Sequence, residues 1–354
     1  MFVNRKINFR DLCEDEVFQY FENIGEKKFR INQINNWIWT KCVNSFDDMN
    51  NIPKNLIDKL SDTFFIDKIT ESLRLTGKDK TVKLLYQTID NYNFESVLIS
   101  SKDRVTACIS TQIGCALNCS FCATGKLGFI RNLTKGEIYN QVFLLNETCE
   151  QIFDKKLSNI VIMGMGEPLL NYENTLNAIK IICSETGLGM SPHRITLSTA
   201  GISDKIKQLA DDNIKFNLSI SLHSADNENR SNIMPVNNKY NLSSLKSAIK
   251  YFYNKTKIRI TYEYLLLSGV NDSLKDAEKL SELTKISPCK INIIEYNSHE
   301  NSPYKTSDND SLQAFVNHLE SKNLIVNIRK SKGQDINAAC GQLANYPIFI
   351  PRDE

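Results

Sequence analysis

The chain has 354 residues, a net charge of +2, 41% hydrophobic and 24% charged residues, ordinary values for a soluble globular protein with one large domain and a smaller one. No window approaches the ~18 continuous apolar residues of a membrane span. The opening MFVNRKINFRDLCEDE turns acidic too early for a signal peptide, so the expected setting is the cytoplasm, with no membrane partner.

Residues 1–66 read as helices. EDEVFQYFENIGE ends at the helix-stopping Gly25, FRINQINNWIWTKCV spaces Ile31, Ile34, Trp37 and Ile38 on one face, and PKNLIDKLSDTF starts at Pro53. Acidic and basic side chains are nearly equal in number over the first hundred residues, so this part is not a basic module. Over residues 67–100 the runs ESLRL, TVKLLYQTI and NFESVLI, separated by turn residues, predict a β-meander that links two parts. From 101 to 335 strand and helix alternate. Strands are expected at 105–109, 159–163, 193–198, 216–222, 257–266, 290–296 and 324–329, and one intervening helix opens on the capping-box pattern Thr134 to Glu137. Repeated βα units imply a parallel sheet with right-handed crossovers. Six or seven units fall short of eight, so the α/β fold expected is a partial (β/α)6-type barrel, with active groups at the C-terminal ends of its strands. Residues 336–354 form a tail.

Ten cysteines in a reducing compartment are poor disulfide candidates, so clustered ones point to metal or redox chemistry. Cys115, Cys119 and Cys122 follow the first barrel strand with the spacing C-x3-C-x2-C, and no Cys or His follows between 123 and 148 to complete a zinc knuckle. Three thiolates suit a [4Fe-4S] cluster with one iron left open. S-adenosylmethionine can chelate that iron and be split by electron transfer into a carbon radical. The segment resembles the radical SAM superfamily.

MGMGEP follows the second strand. Gly164 and Gly166 allow close backbone approach, and Glu167 stands where radical SAM proteins bind the amino group of S-adenosylmethionine. Ser198 closes the third strand, Ser221, Leu222 and His223 the fourth, and Asn297 the sixth, and these groups are expected to converge. Cys108 lies on the first strand, and Cys340 lies in the tail between Gly333 and Gly341. Cys13, Cys42, Cys149, Cys183 and Cys289 are expected to be packed small residues. Basic residues gather around the cluster at Lys102, Arg104, Lys126 and Arg131, and again at Arg329, Lys330 and Lys332.

NFESVLI, GFIRNLT, MGMGEPLLNY, SPHRITLSTAGI, SLHSADNENRSNIMPVN, YLLLSGVND and GQDINAACGQL together resemble the RlmN-type adenine-carbon-2 RNA methyltransferase family, over residues 15–345. The resemblance implies a ping-pong reaction using two S-adenosylmethionine molecules per turnover. Cys340 takes a methyl group from the first. The radical from the second removes a hydrogen atom from that S-methyl, and the methylene radical adds to carbon 2. Glu95 removes the carbon-2 proton. Cys108 then attacks the Cys340 sulfur, leaving a transient Cys108–Cys340 disulfide. The implied substrates are 23S rRNA at the peptidyl-transferase centre and tRNA at the adenosine 3′ of the anticodon. The N-terminal helical domain would help hold RNA, with an electron donor such as flavodoxin. Two alternatives stand beside this reading: a Cfr-type relative that methylates adenine carbon 8, and a non-enzymatic iron–sulfur or zinc protein that binds RNA. Pro168 after Glu167 and LSTAGI favour the carbon-2 family over the carbon-8 one.

Overall fold

A computed structural model describes residues 6–298 and 302–343. The chain begins with β1 (Ile7–Asn8) and the helices α1 (Glu14–Asn23), α2 (Lys28–Asn35) and α3 (Lys54–Thr63), followed by β2 (Phe64–Phe65), which pairs in parallel with β1. Phe9, Phe21, Ile34, Ile38, Leu56 and Leu60 centre a core of their own. Cys13, expected to be packed, is exposed at the N-cap of α1.

The meander follows as β3 (Ile69–Thr76), β4 (Val82–Thr88) and β5 (Asn93–Ser101), then β6 (Arg104–Cys108). A short hairpin, β7 (Gln112–Gly114) and β8 (Phe129–Asn132), brackets the cysteine loop and α4 (Ala123–Lys126). The chain then alternates: α5 (Lys135–Phe153), β9 (Asn159–Ile162), α6 (Tyr172–Cys183), β10 (Ile195–Thr199), α7 (Ser203–Asp211), β11 (Asn217–Ser221), α8 (Asn227–Ile233), α9 (Leu242–Thr256), β12 (Ile260–Leu266), α10 (Leu274–Thr284), β13 (Cys289–Glu295), α11 (Asn309–Ser321) and β14 (Val326–Arg329).

One ten-stranded sheet carries the fold, in the order β14-β13-β12-β11-β10-β9-β6-β5-β4-β3. β6 and β9–β14 are mutually parallel, while β3–β6 run antiparallel. The seven parallel strands make the expected partial barrel, open because β14 and β3 remain edges. The meander also extends this sheet directly: β6 bonds to β5 on one side and to β9 on the other. The parallel strands β9–β13 are rich in isoleucine and other β-branched residues, as a parallel sheet favours. The capping box on α5 forms: the Thr134 hydroxyl accepts from Glu137 N at 3.1 Å, and Thr134 N donates to Glu137 Oε2 at 2.9 Å.

The helical N-terminal part is fastened to α5. Arg10 is fully buried and donates to the Asp67 carbonyl at 2.5 Å and the Val43 carbonyl at 3.0 Å, with its guanidinium 3.3 Å from Asp67 Oδ1. From α5, Tyr139 donates its hydroxyl to the Trp39 carbonyl at 2.6 Å and Lys135 donates to the Leu12 carbonyl at 2.6 Å. No helix among the described residues is long and apolar enough to cross a membrane.

Candidate active site

The C-terminal ends of the parallel strands surround a cavity of about 300 Å³. Cys108, Cys115, Cys119, Cys122 and Cys340 all border it. The loop of the three clustered cysteines is cinched at its base, where Cys115 N donates to the Gly128 carbonyl at 2.8 Å. Gly114 makes that possible: it sits at φ +73, and a Cβ there would lie 1.9 Å from Gly128 O. Among the described residues no three His, Cys, Asp or Glu converge on a single ion, as a structural zinc site would need. A [4Fe-4S] cluster would take one thiolate on each of three irons, and Cys115, Cys119 and Cys122, bordering one cavity, fit that donor set. Burial pushes Cys115 up to about 12 and Cys119 well above its ordinary value, with the charges of neighbouring thiols adding to the rise. Such thiols become thiolates when iron neutralises them.

Gly166, Glu167, Ser198, Ser221 and His223 border the same cavity. Gly166 has φ +96, and a Cβ would lie 2.5 Å from Gln112 Cβ; Gln112 Oε1 accepts from Glu167 N at 2.8 Å. The Glu167 carboxylate accepts from Leu169 N at 3.0 Å and Ala200 N at 2.7 Å. Burial pushes it up to about 7, these two backbone bonds opposing the rise. A carboxylate so poised pairs well with an ammonium group. The Ser198 and Ser221 hydroxyls are 3.3 Å apart, bridging β10 and β11. His223 adopts φ +54, its Nδ1 accepts from Leu265 N at 3.0 Å, and its ring meets Phe121 edge-on at 4.9 Å. Burial drives it down to about 3, with Arg230 adding to the shift, so the neutral ring carries its proton on Nε2.

Two expected residues lie beside the cavity and do not border it. Leu222 is buried, its N–H donating to the Glu263 carbonyl at 3.0 Å and its own carbonyl accepting from Arg230 Nε at 3.0 Å. The Asn297 amide oxygen accepts from Gln334 Nε2 at 2.6 Å, so it meets the segment that leads into the tail.

Cys108 is the last residue of β6, and Cys340 is exposed, opening onto the cavity. Both are free thiols. Burial pushes Cys108 up to about 12, the Cys340 thiol adding and Arg329 opposing. Cys340 is raised by the crowding of protein atoms, again opposed by Arg329. Arg329 borders the cavity and is 3.3 Å from Glu263 Oε2.

Glu95 is 1% exposed and does not border the cavity. On β5 its partner across to β4 is Leu85, while Val97 pairs with Lys83 on one side and Cys108 on the other. Lys83 Nζ lies 3.0 Å from Glu95 Oε1. Sequence reasoning missed Lys83, Glu263 and the fully buried Arg230, which donates to the Ala200 carbonyl at 2.6 Å and to Asn237 Oδ1 at 2.8 Å. A charge inside an apolar strand run, as in TVKLLYQTI, was the available signal for Lys83. Of the basic residues near the cluster, Arg131 is engaged by Asp90 at 2.7 Å and Glu137 at 2.8 Å.

The segment from Gly333 to Leu343, which leads into the tail and carries Cys340, is pinned from two sides. Lys78 N donates to Asp335 Oδ2 at 2.9 Å and Gly333 N to Asp79 Oδ2 at 3.0 Å, both from the turn between β3 and β4. Ala123 N donates to the Gly341 carbonyl at 2.8 Å and the Thr124 hydroxyl to the Leu343 carbonyl at 2.8 Å. The rest of the expected 336–354 tail, from residue 344, lies outside the described residues.

Comparison with known proteins agrees with this geometry. Residues 7–66 match the ribosomal RNA large subunit methyltransferase N-terminal domain, and residues 109–280 match the radical SAM superfamily. The chain is 45% identical over 342 residues to a probable dual-specificity RNA methyltransferase RlmN of Christiangramia forsetii, covering 97% of both chains. It is 39% identical over 357 residues to the dual-specificity RNA methyltransferase RlmN of Nautilia profundicola, covering 98% of this chain and 99% of the relative. The crystal structure of a radical SAM methyltransferase from Sphaerobacter thermophilus superposes with a TM-score of 0.88 at 35% identity, over 95% of this chain and 99% of that one. These likenesses favour the RlmN reading over the carbon-8 and non-enzymatic ones, and the chain belongs to the RlmN family of radical SAM RNA methyltransferases.

Proposed function

We propose that this enzyme methylates carbon 2 of adenosine in 23S rRNA and in tRNA, through a methyl group carried on Cys340. The observation that carries the reading is that Cys108 and Cys340 border one cavity with Cys115, Cys119 and Cys122. Carbon 2 lies between two ring nitrogens and is too electron-poor to attack an electrophilic methyl group. A [4Fe-4S] cluster held by the three cysteines, with S-adenosylmethionine, supplies the one-electron chemistry that makes a methyl carbon reactive toward such a position.

The chain's own residues do the rest. Glu167 pairs with the ligand's ammonium, and Gly166, Ser198, Ser221, His223, Leu222 and Asn297 shape its binding site, the last two from behind the cavity wall. Cys340 accepts and carries the methyl group. Glu95 takes the carbon-2 proton. Cys108 attacks the Cys340 sulfur, forms a transient disulfide with it and frees the product. Arg329, the cation that favours both thiolates, stands at the same wall.

Two S-adenosylmethionine molecules per turnover, a flavodoxin-type donor and a cytoplasmic setting belong to the same reading. Residues 1–66 serve as an RNA-holding domain, 67–100 as the β-rich link, 101–335 as the core and 336–354 as the methyl-carrying tail. Exposed Phe29 under Arg30 at 4.8 Å, and Phe18 near Lys28 at 5.8 Å, are the kind of surface on which unpaired bases stack. The test is methylation of both RNAs in vitro with mass mapping of the product. 2-Methyladenosine in both is the expected result; 8-methyladenosine, or no modification by the cluster-loaded enzyme, refutes the reading.

A further inference from the structure

We propose that Lys83 is a positioning residue for Glu95: held by the Asn337 carbonyl, its ammonium is a buried counter-charge that fixes the Glu95 carboxylate on the sheet face that also carries Cys108. The proposal rests on the reading of Glu95 as the proton acceptor.

Both side chains are 2% exposed, and Lys83 Nζ lies 3.0 Å from Glu95 Oε1. The same Nζ donates to the Asn337 carbonyl at 3.2 Å. Asn337 stands three residues before Cys340, at φ +52, a left-handed conformation that asparagine tolerates and that turns its carbonyl out of the tail's short 3-10 turn. Cross-strand register puts Lys83, Val97 and Cys108 in one row over β4, β5 and β6, with Glu95 two positions from Val97 on the same face. The cation, the carboxylate and the resolving cysteine therefore share one side of the sheet.

A lysine is almost never fully buried unless paired, and a buried ion pair replaced by apolar residues often costs nothing. Stability does not call for this pair in the run where Lys83 stands among Val82, Leu84, Leu85 and Tyr86, whereas proton transfer does. In that step the ring carbon–hydrogen bond breaks, the bonding pair stays on the ring, and the proton passes to a Glu95 oxygen; Lys83 exchanges nothing. Removing the ammonium takes away the ion pair that orients the Glu95 carboxylate, and a carboxylate turned away from the ring carbon takes no proton from it. The tail keeps its bonds to Asp79, Lys78, Ala123 and Thr124 when Lys83 is changed, so Cys340 should still load.

The experiment uses full-length, cluster-loaded Lys83→Met, Lys83→Gln, Lys83→Arg and Glu95→Gln with a tRNA transcript. Three quantities are read: S-methyl occupancy of the Cys340 peptide by mass spectrometry, RNA-linked protein on a denaturing gel, and 2-methyladenosine. Lys83→Met and Glu95→Gln should keep Cys340 loading within twofold of wild type, lose at least tenfold in product, and accumulate the RNA-linked protein. Lys83→Gln, which keeps an N–H donor but removes the charge, should behave as Lys83→Met does and serves if that variant does not fold. Lys83→Arg should return product to within threefold of wild type. Product within twofold of wild type in Lys83→Met or Lys83→Gln overturns the proposal, as does Cys340 loading that falls in parallel with product. Full product from Glu95→Gln overturns the base assignment itself, which separates the two failures.

Discussion

His223 makes a prediction whose size follows from its surroundings. The ring is buried, its Nδ1 is taken by the Leu265 N–H, and the Arg230 guanidinium lies near, so the folded protein refuses the proton down to about 3 against an ordinary 6.5. The unfolded chain accepts that proton below 6.5. The sign is therefore fixed: full stability above 6.5, lost progressively as pH falls toward 3. At 1.36 kcal/mol per unit, the contribution lost by pH 5 is about 2 kcal/mol. Asparagine is the informative replacement. Its oxygen can take the Leu265 N–H, it tolerates the left-handed backbone at φ +54, and it does not titrate. Urea unfolding of the apo-protein at pH 7.5 and at pH 5 should give a wild-type-minus-His223→Asn difference that moves by about 2 kcal/mol against wild type at the lower pH. Other titrating groups cancel in that difference. A difference that stays constant across the two pH values would refute a neutral, proton-refusing His223.

Three further outcomes are expected. Gly166→Ala should cost ~1–3 kcal/mol in urea unfolding, because the new Cβ would lie 2.5 Å from Gln112 Cβ at a positive φ, and S-adenosylmethionine binding should weaken with it. Arg10→Met should cost ~3–5 kcal/mol, since it strands the buried Asp67 carboxylate, and limited proteolysis should then cut first between residues 40 and 70. Glu167 stands at about 7 when folded, so binding an ammonium ligand below that pH must expel its proton; affinity for S-adenosylmethionine, measured by equilibrium dialysis, should rise about sixteenfold in all from pH 5.5 to 7 and level off above it. Glu167→Gln should flatten that rise.

What could be read in the chain was local. The three cysteines, the capping box at Thr134 and the β-rich runs are short-range patterns, and the structure has each where the pattern put it. The strand-end polar groups followed from the barrel rule, and Glu167, Ser198, Ser221 and His223 do meet in one cavity. Roles for Glu95, Cys108 and Cys340 came from family resemblance, since nothing local distinguishes them. Register and crossing contacts were invisible. Lys83 is an ordinary letter in TVKLLYQTI until β4 lies beside β5 and brings it to Glu95. Arg131 looked like part of a basic surface until Asp90, forty-one positions away, closed on it. Period-two patterning predicts the meander but does not say that β6, which follows it, will pair with parallel β9 on its far side.

The sheet divides the labour in a way that bears on turnover. The parallel strand ends and the cysteine loop hold what radical SAM proteins share, while the antiparallel strands and the tail hold Glu95, Lys83 and Cys340. The tail is tied to both halves, to the β3–β4 turn through Gly333 and Asp335 and to the cysteine loop through Gly341 and Leu343. At about 1 kcal/mol net per hydrogen bond, these four bonds alone amount to ~4 kcal/mol, and the Lys83 bond to the Asn337 carbonyl and the buried Ala338, Ala339 and Leu343 add to them. Because the ties come from both halves of the sheet, whatever loosens the meander side also loosens the hold on Cys340, and the Lys83–Asn337 contact ties the tail to β4 beside Glu95.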